Sequence, residues 1–379
     1  MSLEGRSRLK AAALLATAVL LAATVGFIQS RPNAPKPSPR RAVSPPVITS
    51  LPPSAGPTIP PHETCAAACP MSSFGYALAY YPPSRQVLLF GGIDNYDNTW
   101  LWDYQGWTLA HPSASPPGRF DAAVAYDPVM RVVMVYGGRL AAGQLLDDTW
   151  AWDGKTWKEL DAGTGNPPPD EGGVMAWDEQ HATMVLVVPG PSVASPQPET
   201  WTWTRTHWSR QPTGDFPPNI ALGPIAFDPV SNSLLEVGFR YETATSSSVA
   251  MLRWDGTVWR ELSTSHTPPS IVAGLALNPM SDRLLLVCDP AELQSSNEEV
   301  WMWTGVDWQS RGLFSGALQP GGVVSDAESG RVLLFGNAVQ AAQGLPQRVH
   351  VWEWEGSVWY ETGPLAVSAK EPHESLRMQ

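Results

Sequence analysis

One block of tryptophans recurs along this chain at a nearly fixed spacing. NTWLWDYQGW begins at Asn98, DDTWAWDGKTW at Asp147, ETWTWTRTHW at Glu199, AMLRWDGTVW at Ala250, EVWMWTGVDW at Glu299 and HVWEWEGSVW at His350. The leading Trp falls at 100, 150, 201, 301 and 352, with Leu252 in the remaining slot, so the steps are 50, 51, 51, 49 and 51 residues. Seventeen of the 18 tryptophans belong to the pattern, and only Trp177 stands outside it. A period of this length restricts the fold to an array of small units that bury their faces against one another.

Each unit holds a second shared block upstream of the tryptophans. AAVAYDPVMRVVMVYGG (122–138) and GPIAFDPVSNSLLEVGF (223–239) are examples. An apolar run, a turn such as Asp127-Pro128, Asp228-Pro229 or Asn278-Pro279, and a second apolar run read as a hairpin. The tryptophan block adds two more strands. Trp150 and Trp152, at i and i+2, share one strand face, Asp153-Gly154 turns the chain, and Trp157 opens the next strand. The unit is four strands, named here a, b, c and d, without a helical pattern. Six such units predict an all-β fold, a six-bladed β-propeller of four-stranded antiparallel blades spanning 71–364. The tryptophans then fill the space between blades, since large aromatic side chains dominate buried area.

Gly91-Gly92 followed by DNTWLWD, Gly137-Gly138 followed by DDTWAWD, and PPGRFDAA (116–123) carry a resemblance to kelch repeats. In that family a glycine pair closes the second strand, an Asn/Asp-Asp-x-Trp strand follows, and a further Trp completes the repeat. The resemblance covers about residues 74 to 361. It is good in repeats 1 and 2, while only Gly190, Gly238 and Gly336 remain in repeats 3, 4 and 6, and Cys288-Asp289 replaces the pair in repeat 5. It implies a propeller similar to that of galactose-oxidase-like proteins. A WD-repeat reading lacks the shorter period and the Gly-His signal, and a sialidase reading fails because Asp153 and Gly154 are adjacent.

Residues 11–29, AAALLATAVLLAATVGFIQ, are almost wholly apolar and follow Arg6, Arg8 and Lys10. The length suits a transmembrane signal anchor, with 1–10 cytoplasmic and the propeller outside; a cleaved secretory signal is the alternative. Residues 30–70 are Pro- and Ser-rich and read as a disordered stalk, and 365–379 as a disordered tail. Cys65 and Cys69, in CAAAC, form a candidate disulfide, with free thiols or a two-ligand metal site as alternatives. The net charge is −12, and because 1–61 carry seven basic residues against one acidic, the remainder is strongly acidic. That excludes nucleic acid as an expected partner, because phosphate contacts dominate such binding.

Turns a–b and c–d are short and nearly constant. The b–c and d–a connections are long and variable, and in a meander they emerge together on one face. Variable loops on a rigid scaffold are the usual place for binding. The candidate ligand-binding residues there are Asp94, Asn95, Tyr96, Arg119, Asp121, Arg139, Glu171, Arg240 and Tyr241, with Asp97 and Asp170 beside them. Arg119, Arg139 and Arg240 are placed near the axis, where the kelch resemblance implies recognition of acidic or polar ligands. The alternative is that each pairs with a neighbouring carboxylate. Asn98, Asp147 and Asp148 read as strand-start caps. No metal site or cofactor is expected. The loop at Asp94 lacks calcium-loop spacing, and the copper site of the galactose-oxidase family has no counterpart among His111, His181, His207, His266 and His350. The expected function is a membrane-anchored module that binds a protein or cell-surface glycan; a sugar-active enzyme, mutarotase/epimerase or oxidase-like, is the alternative.

Overall fold

The computed structural model describes residues 69–362, apart from 71–73, 94–95, 161–164, 191–196, 213–215, 218–219, 244–245, 270, 290–296, 316–317, 339–348 and 357–358. The expected anchor at 11–29, nearly all of the Pro-rich segment, Cys65 and the tail lie outside the described residues. Cys69 is disulfide-bonded. Among the described residues no helix is long and apolar enough to cross a membrane.

The described strands form six antiparallel sheets, each built from strands consecutive in the sequence. Blade 1 contains β1 (Tyr76–Tyr81), β2 (Gln86–Gly91), β3 (Thr99–Trp102) and β4 (Trp107–Leu109). Blade 2 contains β5 (Ala123–Asp127), β6 (Val132–Tyr136), β7 (Thr149–Trp152) and β8 (Trp157–Leu160). Blade 3 contains β9 (Val174–Asp178), β10 (Thr183–Val188), β11 (Glu199–Trp203) and β12 (Trp208–Arg210). Blade 4 contains β13 (Ile220–Ala221), β14 (Ile225–Asp228), β15 (Ser233–Thr243), β16 (Ser246–Trp254) and β17 (Trp259–Leu262). Blade 5 contains β18 (Ile271–Asn278), β19 (Arg283–Asp289), β20 (Asn297–Trp303) and β21 (Trp308–Ser315). Blade 6 contains β22 (Leu318–Asp326), β23 (Arg331–Ala338), β24 (Val349–Trp354) and β25 (Trp359–Glu361).

The first strand of each blade lies innermost. β1 packs against β5 and β22, β5 against β9, β9 against β14, β14 against β18, and β18 against β22. This is a six-bladed propeller. Apart from β13, which pairs with β15, every strand pairing joins neighbours in sequence, so local hairpin formation builds each blade, and burial between blades completes the ring. Two details depart from four plain strands and no helix. A 3-10 turn spans Pro82–Ser84, where proline sets φ for the turn. In blade 4 the inner strand is split, because Pro224 has no N–H to give the ladder; its carbonyl instead accepts from the Val237 N–H at 3.0 Å.

Each seam between blades is an apolar cluster. Trp152 and Trp157 of blade 2 pack with Leu88 and Phe90 of blade 1, and Trp203 and Trp208 of blade 3 with Met134 and Tyr136 of blade 2. The same arrangement recurs at the blade 3–4, 4–5 and 5–6 seams. Within a blade the second Trp of strand c and the Trp of strand d meet as tilted rings, centroids 5.2 Å apart for Trp203–Trp208 and 5.5 Å for Trp152–Trp157. Three of the strand-d indole nitrogens find threonine acceptors across the seams. Trp157 Nε1 donates to Thr99 Oγ1 at 2.9 Å, Trp208 Nε1 to Thr149 Oγ1 at 2.9 Å and Trp259 Nε1 to Thr200 Oγ1 at 3.0 Å. At the seam of blades 4 and 5 the register puts Met251 of blade 4 in the threonine position, and the buried Trp308 Nε1 of blade 5 has no acceptor. A bulky repeat thus also carries a specific interblade hydrogen bond, which fixes how one blade sits on the next.

In blades 2, 3, 4 and 6 the a–b turn is held by a buried carboxylate at the end of strand a. Asp127 accepts from the N–H groups of Val129 and Met130, Asp178 from Gln180 and His181, and Asp228 from Val230 and Ser231. These are Asx turns, which explain the Asp-Pro and Asp-x breaks in the sequence. Among the described residues the ring closes without strand exchange. Blade 6 uses only its own strands, and its seam with blade 1 is a cluster of Tyr76, Val87, Leu89 and Trp102 against Val324, Leu333, Phe335 and Val351. One backbone bond reinforces it, from Val349 N–H to Pro70 O at 3.4 Å.

Candidate functional site

On the long-connection face, the segments that lead into the inner strands of blades 1, 2 and 3 are tied to one another. Asp121 N–H donates to Gly75 O at 2.7 Å, and Gly172 N–H to Asp121 O at 2.9 Å. Asp121 holds a left-handed φ of 56°, a conformation that costs a non-glycine residue energy and is retained where the surroundings over-determine it. The b–c connection of blade 2 joins the same network. Phe120 and Arg139 exchange backbone bonds of 2.9 and 3.1 Å, and Gly138 N–H donates to Asp170 O at 2.6 Å. A Cβ on Gly138 would meet Phe120 O at 2.8 Å, so this crossing requires glycine.

That backbone brings three of the sequence candidates together. Arg139 Nε lies 2.5 Å from Glu171 Oε2, with both side chains more than a third exposed. The Arg139 guanidinium also sits over the Phe120 ring, 4.6 Å from its centroid. Asp121 stands beside the pair. Loss of solvent and then the Glu171 carboxylate raise its carboxyl above the usual range, opposed by Arg139. Asp170, 8% exposed, is pushed up to about 7 by burial, with Glu171 adding to the shift and the N–H groups of Gly173 and Glu171 opposing it. Around these charges Phe74, Tyr96 and Leu145 expose apolar surface. The connections between these segments are short: Ile93 N–H reaches Phe74 O, and Arg119 N–H reaches Tyr96 O at 3.2 Å.

The other candidates lie elsewhere or serve the scaffold. Arg119 is 1% exposed. Its Nη1 donates to Gly137 O at 2.9 Å, its Nε to Pro117 O at 3.0 Å, and its fork grips Asp148 at 2.5 and 2.8 Å. Every edge of the guanidinium is used, so Arg119 fastens the connection between blades 1 and 2 and is not a surface ligand group; Asp148 is its counter-ion as well as a cap. Arg240 pairs with Glu261 on the outermost strand of its own blade at 2.5 Å, which directs it away from the axis. The pairing alternative therefore holds for all three arginines, although Arg139 remains accessible. Asp94, Asn95 and the side chain of Tyr241 lie outside the described residues. Among the described residues no group of three or more His, Cys, Asp or Glu is gathered to hold a metal ion.

One functional-looking group was not anticipated. Glu236 on β15 is 1% exposed and pairs across the ladder with Ile225. The equivalent positions in the other blades are Leu89, Val135, Leu186, Leu286 and Leu334. Its Oε1 accepts the Gly223 N–H at 2.9 Å while Oε2 has no partner. Burial pushes its carboxyl up to about 8, opposed by the Gly223 N–H. The signal in the sequence is a single acid interrupting the run Leu234-Leu235-Glu236-Val237.

No family model matches the chain, and no curated protein matches it. Solved structures do. A structure of YjhT is 13% identical, covers 78% of this chain and 99% of that chain, and superposes with a TM-score of 0.53. A fungal alcohol oxidase of the AA5 family, in complex with copper, is 13% identical over 73% of this chain and 61% of that chain, with a TM-score of 0.47. At that identity the likeness to YjhT shows the propeller fold.

Proposed function

We propose that the chain is a membrane-anchored, extracytoplasmic propeller that binds a protein or a cell-surface glycan through the long-connection face of blades 1 to 3. The observation that supports this most is the convergence of Arg139, Glu171 and Asp121 on a backbone network that joins three blades. Phe74, Tyr96 and Leu145 flank them with exposed apolar surface. A rigid frame that presents charged and aromatic groups together suits recognition of a polar partner, since ordering costs are met before binding. The anchor at 11–29 would hold this face outside the membrane.

The test is binding of the full chain to cell-envelope glycan fragments and to envelope proteins, measured by interferometry. Arg139→Ala and Tyr96→Ala should each weaken binding by a graded factor, while Arg210→Ala, on the outer edge of blade 3, leaves it unchanged. Undiminished binding by an Arg139→Ala/Tyr96→Ala double variant would refute the location. Labelling of single cysteines placed in the propeller of intact cells tests the orientation. A second reading rests on Asp170: a carboxyl that titrates near 7 beside an Arg–Glu pair suits acid–base chemistry on a sugar. It requires a turnover that Asp170→Asn abolishes rather than grades.

A further inference from the structure

The seam that closes the ring contains a cleft of about 390 Å3 on the opposite, short-turn face. Blade 1 supplies its a–b turn, with Ser84 and Arg85, and its c–d turn, with Asp103 and Tyr104; blade 6 supplies its a–b turn, from Asp326 to Arg331. Tyr104 has a left-handed φ of 71°, in the turn slot that holds Gly154, Gly256, Gly305 and Gly356 in four other blades and Arg205 in the fifth. The Tyr104 hydroxyl crosses the seam to donate to Asp326 Oδ2 and lies 3.2 Å from Ser329 Oγ. Trp102 backs its ring at 4.4 Å between centroids, and the Arg331 guanidinium lies 5.0 Å from the ring centre.

Two ion pairs hold the guanidiniums of the cleft, while Asp103 and Asp326 have no cationic partner among the described residues. Arg85 pairs with Glu328 across the seam at 2.6 Å, and Arg331 pairs with Glu353 at 2.9 Å. Asp326 accepts from the backbone of Glu328 and Ser329 and from two hydroxyls. Burial would raise its pKa, but those hydrogen bonds more than offset this and lower it, so it stays an acceptor. Each guanidinium has five N–H groups and each carboxylate several lone pairs, so matched pairs still offer donors and acceptors to a ligand. An anion would meet Asp103, Asp326 and Glu328 together. A cation would meet Arg85 and Arg331, and the Asp326 oxygens already accept four hydrogen bonds. A ligand that is neutral and dense in hydroxyls meets neither penalty, and the volume is at the lower end for small-molecule sites. We propose that this cleft binds a neutral, polyhydroxylated ligand of monosaccharide or disaccharide size.

The experiment is saturation-transfer NMR on the full chain in buffer free of glycosides and glycoside detergents. The probes are glucose, galactose and N-acetylglucosamine, with glucuronate as the charged counterpart. Arg85 and Asp103 are exposed rim residues outside the core, so Arg85→Ala and Asp103→Ala test the site without unfolding it. At least one neutral probe should receive saturation, each variant should weaken it at least fivefold, and glucuronate should bind at least fivefold more weakly. Arg139→Ala, on the opposite face, should leave this signal intact. Absence of transfer to every neutral probe overturns the proposal, as does equal transfer in both rim variants. A sugar signal that falls in Arg139→Ala but not in Arg85→Ala belongs to the long-connection face and also overturns it.

Discussion

Replacing Glu236 with Gln should remove a pH dependence from the stability of the whole propeller. Glu236 is 1% exposed, and burial pushes its carboxyl up to about 8 from the ordinary 4.5. Below about 4.5 both folded and unfolded chains carry the proton. Between 4.5 and 8 the folded chain keeps a proton that the unfolded chain releases, so stability falls as pH rises through this window. The loss is about 1.4 kcal/mol per pH unit, on the order of 5 kcal/mol by pH 8. Asp170, raised to about 7, adds a slope of the same sign at lower pH, so the interval from pH 7 to 8 isolates Glu236. Gln keeps the acceptor for the Gly223 N–H and nearly the same volume, but has no proton to lose. Urea unfolding of both proteins at pH 5, 6, 7 and 8 measures the difference. The two curves should nearly coincide at pH 5 and separate steadily, with the variant more stable at pH 8. Parallel curves across the range would show that Glu236 is ionised in the fold and that its burial does not govern its titration.

Other perturbations bear on the seams and connections. Thr149→Val preserves shape but leaves the Trp208 indole N–H without its acceptor, and should cost about 1–3 kcal/mol in thermal or urea unfolding; an unchanged midpoint would show that the interblade bond contributes nothing. Arg119→Ala leaves Asp148 half-buried and unpaired and should cost about 3–5 kcal/mol, so that a loss of binding in this variant reports misfolding rather than a lost contact. Circular dichroism on the same sample distinguishes the two. Gly223→Ala would place a Cβ 1.9 Å from Val237 O at the split inner strand of blade 4, and should lower the melting temperature by several degrees; an unshifted melting temperature would mean that the split segment is plastic.

What the sequence determined by itself follows from locality. Each blade is made of strands adjacent in the chain, so its hairpins, its Asx turns and its paired tryptophans are all written within one fifty-residue period. The long and short connections separate onto two faces by topology alone, which is why Asp121, Arg139 and Glu171 were legible as one neighbourhood. What only the tertiary structure decided depends on residues far apart in sequence. Arg119 read as a ligand group until its partner Asp148, 29 positions away and in the next blade, proved to occupy its whole fork. Met251 in a threonine slot matters only because Trp308 of the next blade lies against it. The closing seam joins Tyr104 to Asp326, 222 positions away, and no pattern inside a single repeat reports which residues meet when a ring shuts. Tyr104 in a glycine slot and Glu236 in an aliphatic one were visible as breaks in the repeat. Their consequences, a cleft and a buried proton, come from burial and apposition, which are properties of the closed ring.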